Sequence, residues 1–136
     1  MLSSLRRGLS VALASLMIAA GLCLIAPIAL AETYTIKMGS DSGNLAFQPA
    51  TLSVKHGDVV QWVNNKLPPH NMMIDGAKLP DVSAELISSL SHSQLMVKPG
   101  DSFQVTIPDA LPAGEYAYFC APHRGAGMAG KLVVTG

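Results

Sequence analysis

The chain has 136 residues, with nine Lys or Arg against nine Asp or Glu, and 49% of its residues are hydrophobic. Apart from one Arg pair near the start, no two Lys or Arg residues are adjacent, which argues against a nucleic-acid-binding protein. A chain of this length forms one domain with a modest core, so a two-domain enzyme with a cleft between its lobes is excluded.

The first element in chain order is an apolar segment without charged residues, at positions 9–30. Arg6-Arg7 precedes it and the small-x-small tripeptide Ala29-Leu30-Ala31 ends it, which is the layout of a secretory signal peptide. We therefore expect residues 1–31 to be cleaved off and residues 32–136 to be the mature domain. An uncleaved membrane anchor is the alternative, because an uncharged stretch of about 20 residues is long enough to cross a bilayer.

The rest of the chain consists mainly of short runs in which apolar and polar residues alternate, the pattern of half-buried β-strands. Turn-forming Gly, Pro, Asn and Asp residues separate these runs. Many short strands with turns at such intervals are typical of a β-sandwich, so we predict an all-β fold of seven to eight strands. The clearest runs are residues 34–38, 52–55, 60–62, 103–107, 116–119 and 132–135.

One stretch, residues 82–90, departs from the strand pattern. Its apolar residues recur at helical spacing after Pro80, so we predict one short helix within a connection. Asp81 or Ser83 is the expected N-cap, because a short polar side chain there can accept a hydrogen bond from the first turn.

The segment with the clearest chemical signature runs from Cys120 to Met128, directly after a predicted strand. It holds a thiol, the imidazole of His123 and a thioether within nine positions, and a second imidazole, His70, lies in a separate proline-rich turn. Two His, one Cys and a weakly bound Met are the ligands of a mononuclear blue-copper site. Thiolate and thioether favour Cu(I) and imidazole suits both oxidation states, so little rearrangement is needed when an electron moves. The sequence therefore predicts a copper site at one end of the sandwich.

The same residues leave other chemistries open. Because Cys23 lies in the predicted signal peptide, Cys120 has no intrachain disulfide partner and is a candidate for intermolecular pairing, nucleophilic attack or metal binding. A Cys120–His123 nucleophile and base would lack an evident third group to orient it, and zinc prefers four strong ligands. Neither interpretation gives Met128 a role. The remaining histidines are expected at the surface, without a metal role: His56 and His92.

Two segments, residues 64–71 and 120–131, resemble the plastocyanin family in its cyanobacterial form. The resemblance extends over essentially the whole mature chain, and it is most specific where Pro68-Pro69-His70-Asn71 combines with the Cys-x2-His-x4-Met spacing. It implies a Greek-key β-sandwich of the cupredoxin type that binds one copper ion, cycles it between Cu(I) and Cu(II), and has no catalysis of its own. Asn71 matches the position that locks the two ligand loops together. The copper ligands that the resemblance implies are His70, Cys120, His123 and Met128.

The function that the resemblance implies is electron transport in photosynthesis, from cytochrome f to photosystem I. The carrier would be a monomer in the thylakoid lumen, free of the membrane after signal cleavage. An apolar patch around His123 is the implied route for electrons, and Arg124 matches a basic position suited to electrostatic steering. Phe119 stands where the family commonly has Tyr, which removes the hydroxyl of a proposed remote route. The other members of the patch are Gly43, Leu45, Pro69 and Ala126.

Two other functions stay open at this point. A different small blue-copper donor, similar to pseudoazurin, would have the same ligand spacing, although pseudoazurins carry extra C-terminal helices. A periplasmic copper carrier would hand over the metal and not the electron, and it would be expected to have an open site rich in exposed Met and His. Retention of copper through many redox cycles separates the electron carrier from the metal carrier.

Overall fold

Two β-sheets make up the part of the chain that this computed structural model describes, residues 25–79 and 81–136. Residues 1–24, most of the predicted signal peptide, lie outside the described residues, and residues 25–32 precede the first strand without regular secondary structure. No helix in the described residues is long and apolar enough to cross a membrane. The strands of this part are β1 (Thr33–Met38), β2 (Phe47–Gln48), β3 (Thr51–Lys55), β4 (Val59–Asn64), β5 (His70–Ile74), β6 (His92–Met96), β7 (Ser102–Thr106), β8 (Gly114–Phe119) and β9 (Ala129–Thr135).

The sheets contain both parallel and antiparallel pairs. One sheet has the strand order β2-β1-β4-β7, and the other has the order β3-β9-β8-β5-β6. β1 lies parallel to β4, with Ile36 opposite Trp62, and β3 lies parallel to β9, with Val54 opposite Val134. The remaining neighbours are antiparallel. Parallel neighbours require a crossover connection, so the chain passes repeatedly between the sheets, as expected for a Greek-key sandwich.

The number of strands differs from the expected seven to eight, since the described residues contain nine. β2 has only two residues, and β5 is buried at four of its five positions. Neither strand presents the alternation of apolar and polar residues that marks a half-buried strand. These strands are defined by their partners in the sheet, and hydropathy along the chain does not reveal them.

The core lies between the two sheets and is filled by inward-facing side chains. In β4, Val60 and Trp62 are fully buried, while the residues that alternate with them are half-buried. The Trp62 ring stacks on Phe103 at a centroid distance of 5.1 Å and meets Tyr118 of the other sheet edge-on at 5.8 Å. Burying one large apolar side chain stabilises a fold by roughly 1.5–3 kcal/mol. These rings therefore contribute strongly to the packing of one sheet on the other.

The predicted short helix is confirmed as α1 (Ala84–Leu90). Its N-cap is Ser83, whose Oγ accepts a hydrogen bond from a backbone N–H of the first turn at 3.2 Å. At the other end, Ser91 Oγ donates to the Ile87 carbonyl oxygen at 3.0 Å and accepts from the Ile74 N–H at 3.0 Å. One serine therefore attaches the helix to β5.

Two histidines expected at the surface are half-buried instead. The Nε2 atom of His56 lies 2.7 Å from the Leu111 carbonyl oxygen. The ring of His92 stacks on Phe103, with the centroids 4.3 Å apart. Both residues remain partly exposed, and the fold supplies each ring with a partner because an imidazole has an apolar face as well as a polar edge.

Candidate metal centre

Three residues that can bind a metal meet at one end of the sandwich because of how β5 and β8 pair. The two strands are antiparallel neighbours, so the start of β5 lies beside the end of β8. His70 is the first residue of β5, and Cys120 directly follows β8. A short 3-10 helix, Ala121–Ala126, then brings His123 back toward Cys120.

The donor atoms of these residues form a nearly equilateral triangle. Sγ of Cys120 lies 3.6 Å from Nδ1 of His70 and 3.5 Å from Nδ1 of His123, and the two Nδ1 atoms are 3.2 Å apart. The centre of such a triangle is about 2 Å from each corner, the length of a metal–nitrogen or metal–sulfur bond. The three atoms are therefore spaced to bind one ion together.

The ring of His70 is oriented by the backbone. Its Nε2 lies 2.6 Å from the Lys66 carbonyl oxygen, which can only accept, so Nε2 carries the proton and Nδ1 keeps its lone pair. Burial lowers the pKa of His70, the Lys66 contact raises it, and the nearby His123 lowers it again. The net shift of this pKa is downward, so the ring is neutral at neutral pH and able to bind a metal.

The Lys66 carbonyl is held in turn by the end of β1 and the loop after it. The N–H groups of Asn65 and Lys66 both donate to the Met38 carbonyl oxygen, at 2.9 and 3.2 Å. The side-chain amide of Asn65 donates to the Gly39 carbonyl oxygen at 2.8 Å. Gly39 has a φ of +79°, and a Cβ atom at this position would overlap the Lys66 carbonyl oxygen. This support for His70 cannot be predicted from the sequence, because neither a motif nor a periodicity connects Gly39 to it.

Cys120 is fully buried, and its surroundings act on its pKa in opposite directions. Burial raises the pKa of the thiol, the backbone N–H groups of Asn71 and His123 lower it, and the net shift is upward. The Asn71 side chain accepts a hydrogen bond from the Ala121 N–H at 2.8 Å and donates to the Ser93 carbonyl oxygen at 3.0 Å. Asn71 therefore connects the start of β5 to the turn after Cys120.

Met128 closes the loop that carries Cys120 and His123. Its carbonyl oxygen accepts from the Cys120 N–H at 3.1 Å, and its own N–H donates to the His123 carbonyl oxygen at 3.2 Å. Gly127, just before it, has a φ of +82°, a left-handed conformation that favours glycine where the chain reverses. The Met128 side chain is fully buried. The loop thus returns a thioether-bearing residue to the buried end that holds Cys120.

The residues expected to contact partners lie in the loops at this same end. Leu45 and Pro69 are half-buried, in the β1–β2 and β4–β5 connections, and Arg124 is exposed in the turn after β8. His123 is half-buried, whereas His70 and Cys120 are fully buried. His123 therefore provides the most direct contact between the donor atoms and the solvent. The two further residues of the expected patch are exposed: Gly43 and Ala126.

Arg124 is not a free surface cation. Its guanidinium carbon lies 3.8 Å above the centre of the Phe119 ring, and Nη2 lies 3.4 Å from Oδ2 of Asp75. Lys78 approaches the same carboxylate oxygen, at 3.5 Å. The sequence identifies Arg124 as a candidate for steering, but it does not reveal this pairing with Asp75.

The donor set fits copper better than zinc or thiol chemistry. Two imidazoles and a thiol converge with their donor atoms at bonding distance from one point, and the fully buried Met128 is bonded to two of these residues through its backbone. A trigonal set of two His and one Cys with a weak axial Met is the arrangement that distinguishes blue copper from other metals. A β-sandwich with this set at one end defines a mononuclear copper protein of the cupredoxin class.

Comparison with known proteins identifies the family. Residues 34–135 match the sequence model of copper binding proteins of the plastocyanin/azurin family, and the chain belongs to this family. It is 46% identical over 134 residues to the plastocyanin of Nostoc punctiforme, a match that covers 98% of this chain and 96% of the relative.

Solved structures support the same assignment. A mutant plastocyanin of fern is similar with a TM-score of 0.64 and 28% identity, over 74% of this chain and 99% of that one. A pseudoazurin from Sinorhizobium is similar with a TM-score of 0.55 and 30% identity, over 77% of this chain and 75% of that one. The predictions of an all-β cupredoxin fold and of copper as the cofactor are confirmed, and the protein is a type 1 copper electron-transfer protein.

Proposed function

We propose that this protein carries electrons from cytochrome f to photosystem I in the thylakoid lumen, as a monomer without enzymatic activity. The observation that most supports this function is the triangle of donor atoms, of which two belong to buried residues and one to the half-buried His123. A site of this kind exchanges electrons through one edge while excluding substrates. The plastocyanin of Nostoc punctiforme, with 46% identity, supports the photosynthetic role.

In this function, four residues hold one copper ion, which supplies one-electron chemistry by alternating between Cu(I) and Cu(II). His70 and Cys120 stand at the ends of two paired strands, so their backbones are fixed by the sheet. Asn71 connects the two ligand-bearing segments through its bond to Ala121. A set of side chains held in this way changes little between oxidation states, which keeps electron transfer fast. The proposed ligands are His70, Cys120, His123 and Met128.

His123 is the proposed exit for electrons, because the other donor-bearing residues are fully buried. The neighbouring loop residues proposed for contact are uncharged and partly apolar, and Arg124 is the charged residue directly after His123. A small contact surface of this type suits a carrier that must leave each partner quickly. Phe119 has no hydroxyl and lies beneath the Arg124 guanidinium, so we propose no second route there. The residues proposed to form the contact surface are Gly43, Leu45, Pro69 and Ala126.

We further propose that residues 1–31 are a signal peptide and that the functional protein comprises residues 32–136. The first strand begins at Thr33, one residue beyond the expected start of the mature protein at Glu32, and residues 25–32 are exposed and outside both sheets. The similarity to the Nostoc plastocyanin covers 98% of this chain, so it includes the leader. The mass of the protein exported from cells that express the full chain tests the cleavage position directly.

The ligand assignment is tested by an absorption spectrum. We expect the protein loaded with Cu(II) to show an intense blue band that ascorbate bleaches and reoxidation restores, because the band arises from charge transfer between a thiolate and Cu(II). Cys120→Ser should abolish the band, since the hydroxyl does not supply a thiolate. His92→Gln is the matched control outside the site and should keep the band. A colourless native protein, or a blue Cys120→Ser variant, would contradict the assignment.

The partners are tested by kinetics with the blue protein. We expect the reduced protein to re-reduce photosystem I after a flash, and the oxidised protein to accept an electron from cytochrome f. A protein that keeps its copper through repeated redox cycles but reacts with neither partner would be a different blue-copper donor. A protein that loses copper during the cycles would instead be a metal carrier.

A further inference from the structure

Asp58 is a buried carboxylate in the turn between β3 and β4. Only 1% of its surface is exposed. Its Oδ2 atom accepts a hydrogen bond from the Lys55 N–H at 2.8 Å, and its Oδ1 atom accepts one from the Glu32 N–H at 2.9 Å. Burial is the largest single influence and raises the pKa of Asp58, but these two bonds and the charge of Lys55 lower it, and the net shift is downward. The carboxylate is therefore charged at neutral pH.

No side-chain cation in residues 25–79 and 81–136 forms a salt bridge with this carboxylate. Buried charges in proteins are normally paired, because removing a carboxylate from water is costly. The positive group nearest in sequence is Lys55, whose charge lowers the pKa of Asp58, but the residue is exposed and forms no salt bridge with this carboxylate. In the described residues, Asp58 thus lacks the direct ionic contact that such a position usually has.

Glu32 is held firmly beside Asp58. The Glu32 carbonyl oxygen accepts a hydrogen bond from the Val59 N–H at 2.8 Å, and the next residue, Thr33, begins the pairing of β1 with β4 opposite Val59. The backbone nitrogen of Glu32 is therefore fixed at the edge of the sheet, while residues 25–31 before it are exposed and irregular. This nitrogen is the atom that a cut after Ala31 would release.

We propose, on the basis of the signal cleavage proposed above, that hydrolysis between Ala31 and Glu32 creates an α-ammonium group that forms an ion pair with the buried carboxylate of Asp58. Water adds across the peptide bond, the new carboxylate leaves with residues 1–31, and the released amine takes up a proton. The neutral amide donor of the precursor becomes a cation with three donors at the same place. Cleavage after Ala31 thus gives Asp58 a positively charged partner and holds the start of β1 in place in the mature protein.

The ion pair predicts a specific dependence of stability on pH. The carboxylate of Asp58 raises the pKa of the α-amino group above its ordinary value of roughly 7.7–8.0. A group whose pKa is raised in the folded state contributes stability that is complete below its unfolded pKa and is lost as the pH rises through its folded pKa. The loss of stability should therefore begin near pH 8.

Four other titratable or charged groups face or adjoin this position. The Glu32 carboxylate accepts a hydrogen bond from the Tyr34 hydroxyl at 2.6 Å, which raises the pKa of Tyr34 to about 12, so the phenol stays neutral near pH 8. Lys55 is exposed. In the same turn, Nε2 of the His56 ring lies at hydrogen-bonding distance from the Leu111 carbonyl oxygen.

The test uses copper-loaded protein that begins at Glu32, with a free or an acetylated amine, each with Asp58 or with Asp58→Asn. A chain of this extent folds on its own, since 99% of the solved fern plastocyanin matches 74% of this chain. We expect nitrogen-15 NMR to give an α-amino pKa about one unit higher or more with Asp58 than in the Asp58→Asn variant. Acetylation should increase the unfolded-to-folded ratio about tenfold at pH 7 with Asp58, and much less in Asp58→Asn.

A second variant covers the case in which Asp58→Asn does not fold. Protein that begins at Ala31 carries its amine one residue further out and leaves Asp58 untouched, so its α-amino pKa should be ordinary. Equal α-amino pKa values in the proteins that begin at Glu32 and Ala31, or equal effects of acetylation with and without Asp58, would overturn the ion pair. Because every protein is made with a defined start, these results do not depend on where the cell cleaves or on which partners the protein serves.

Discussion

At the scale of single residues, the orientation of His70 depends on a glycine that is remote in sequence. Nε2 of His70 donates to the Lys66 carbonyl oxygen, and Gly39 lies against that same oxygen. No side chain fits between them, because even a Cβ atom would overlap the oxygen. Gly39 is therefore a positioning residue, which acts on the site through the backbone of Lys66.

We predict that Gly39→Ala displaces the Lys66 carbonyl and changes the reduction potential of the copper protein. The added methyl group must push the carbonyl away, and the positive φ at this position adds strain, for a total cost on the order of 2 kcal/mol. Voltammetry measures the potential of the loaded protein. In the metal-free protein, the NMR shift of the His70 Nε2 proton reports the hydrogen bond to Lys66 directly.

Gly57→Ala is the matched control for this change. Gly57 has nearly the same conformation, with a φ of +84°, but among residues 25–79 and 81–136 no atom beyond its two chain neighbours lies within 4 Å of the Cβ position. We expect it to lose about 1 kcal/mol of stability from backbone strain while the potential and the His70 proton shift stay as they are. If both variants changed these two readouts equally, Gly39 would have no specific effect on His70.

At the scale of secondary structure, the Ser91 side chain links α1 to β5 through two hydrogen bonds. Its hydroxyl accepts from the Ile74 N–H in β5 and donates to the Ile87 carbonyl oxygen in α1. Ser91→Ala leaves the Ile74 N–H without this acceptor, and an unsatisfied buried donor costs roughly 1–3 kcal/mol. We predict a loss of this size in the free energy of unfolding, measured by denaturant titration.

Ser89→Ala is the control on the same helix. Within the described part of the chain, the Ser89 hydroxyl donates only to the Leu86 carbonyl oxygen of α1, and it is exposed. Its removal should change the free energy of unfolding by less than about 0.5 kcal/mol, as for most surface substitutions. If Ser89→Ala lowered the free energy of unfolding as much as Ser91→Ala, the hydrogen bond from Ser91 to β5 would contribute nothing to stability.

The elements that sequence predicts are those whose burial follows a period. β1 and β3 alternate between more and less buried residues, and their hydropathy follows this alternation. α1 has the spacing of a one-sided helix and a serine at its N-cap. β5 escapes prediction because it is buried on both faces, and β2 because two residues carry no period. Their assignment depends on long-range pairing, which local pattern does not encode.

At the scale of the whole molecule, the types of side chain in the site are visible in the sequence, but their electrostatic environment is not. The spacing of Cys120, His123 and Met128 within one turn can be recognised without a structure, because a single loop carries all three. The pairing of Arg124 with Asp75 joins positions 49 residues apart. Only the folded chain brings the β5–α1 connection against the turn after β8, so the charge near the electron exit depends on topology.

This pairing weakens the positive field beside His123, so the steering proposed for Arg124 also depends on Asp75. We predict that Arg124→Glu slows electron delivery to photosystem I several-fold at low salt, because a cation near the exit is replaced by an anion. Asp75→Asn should raise the rate, since it frees the guanidinium from its partner at 3.4 Å. Both effects should shrink toward physiological ionic strength, where the screening length is about 8 Å.

Lys55→Glu is the control that distinguishes an effect of the position of the charge from an effect of net charge. It makes the same charge change as Arg124→Glu, but Lys55 ends β3 opposite Thr135, at the far end of β9 from the metal centre. Flash-induced re-reduction of photosystem I, measured across ionic strength, should therefore respond much less to Lys55→Glu than to Arg124→Glu. Equal salt-dependent slowing in both variants would show that net charge governs encounter. Slowing by Arg124→Glu alone would instead show that the protein approaches photosystem I with the His123 end first. This orientation brings the half-buried His123 closest to the electron acceptor.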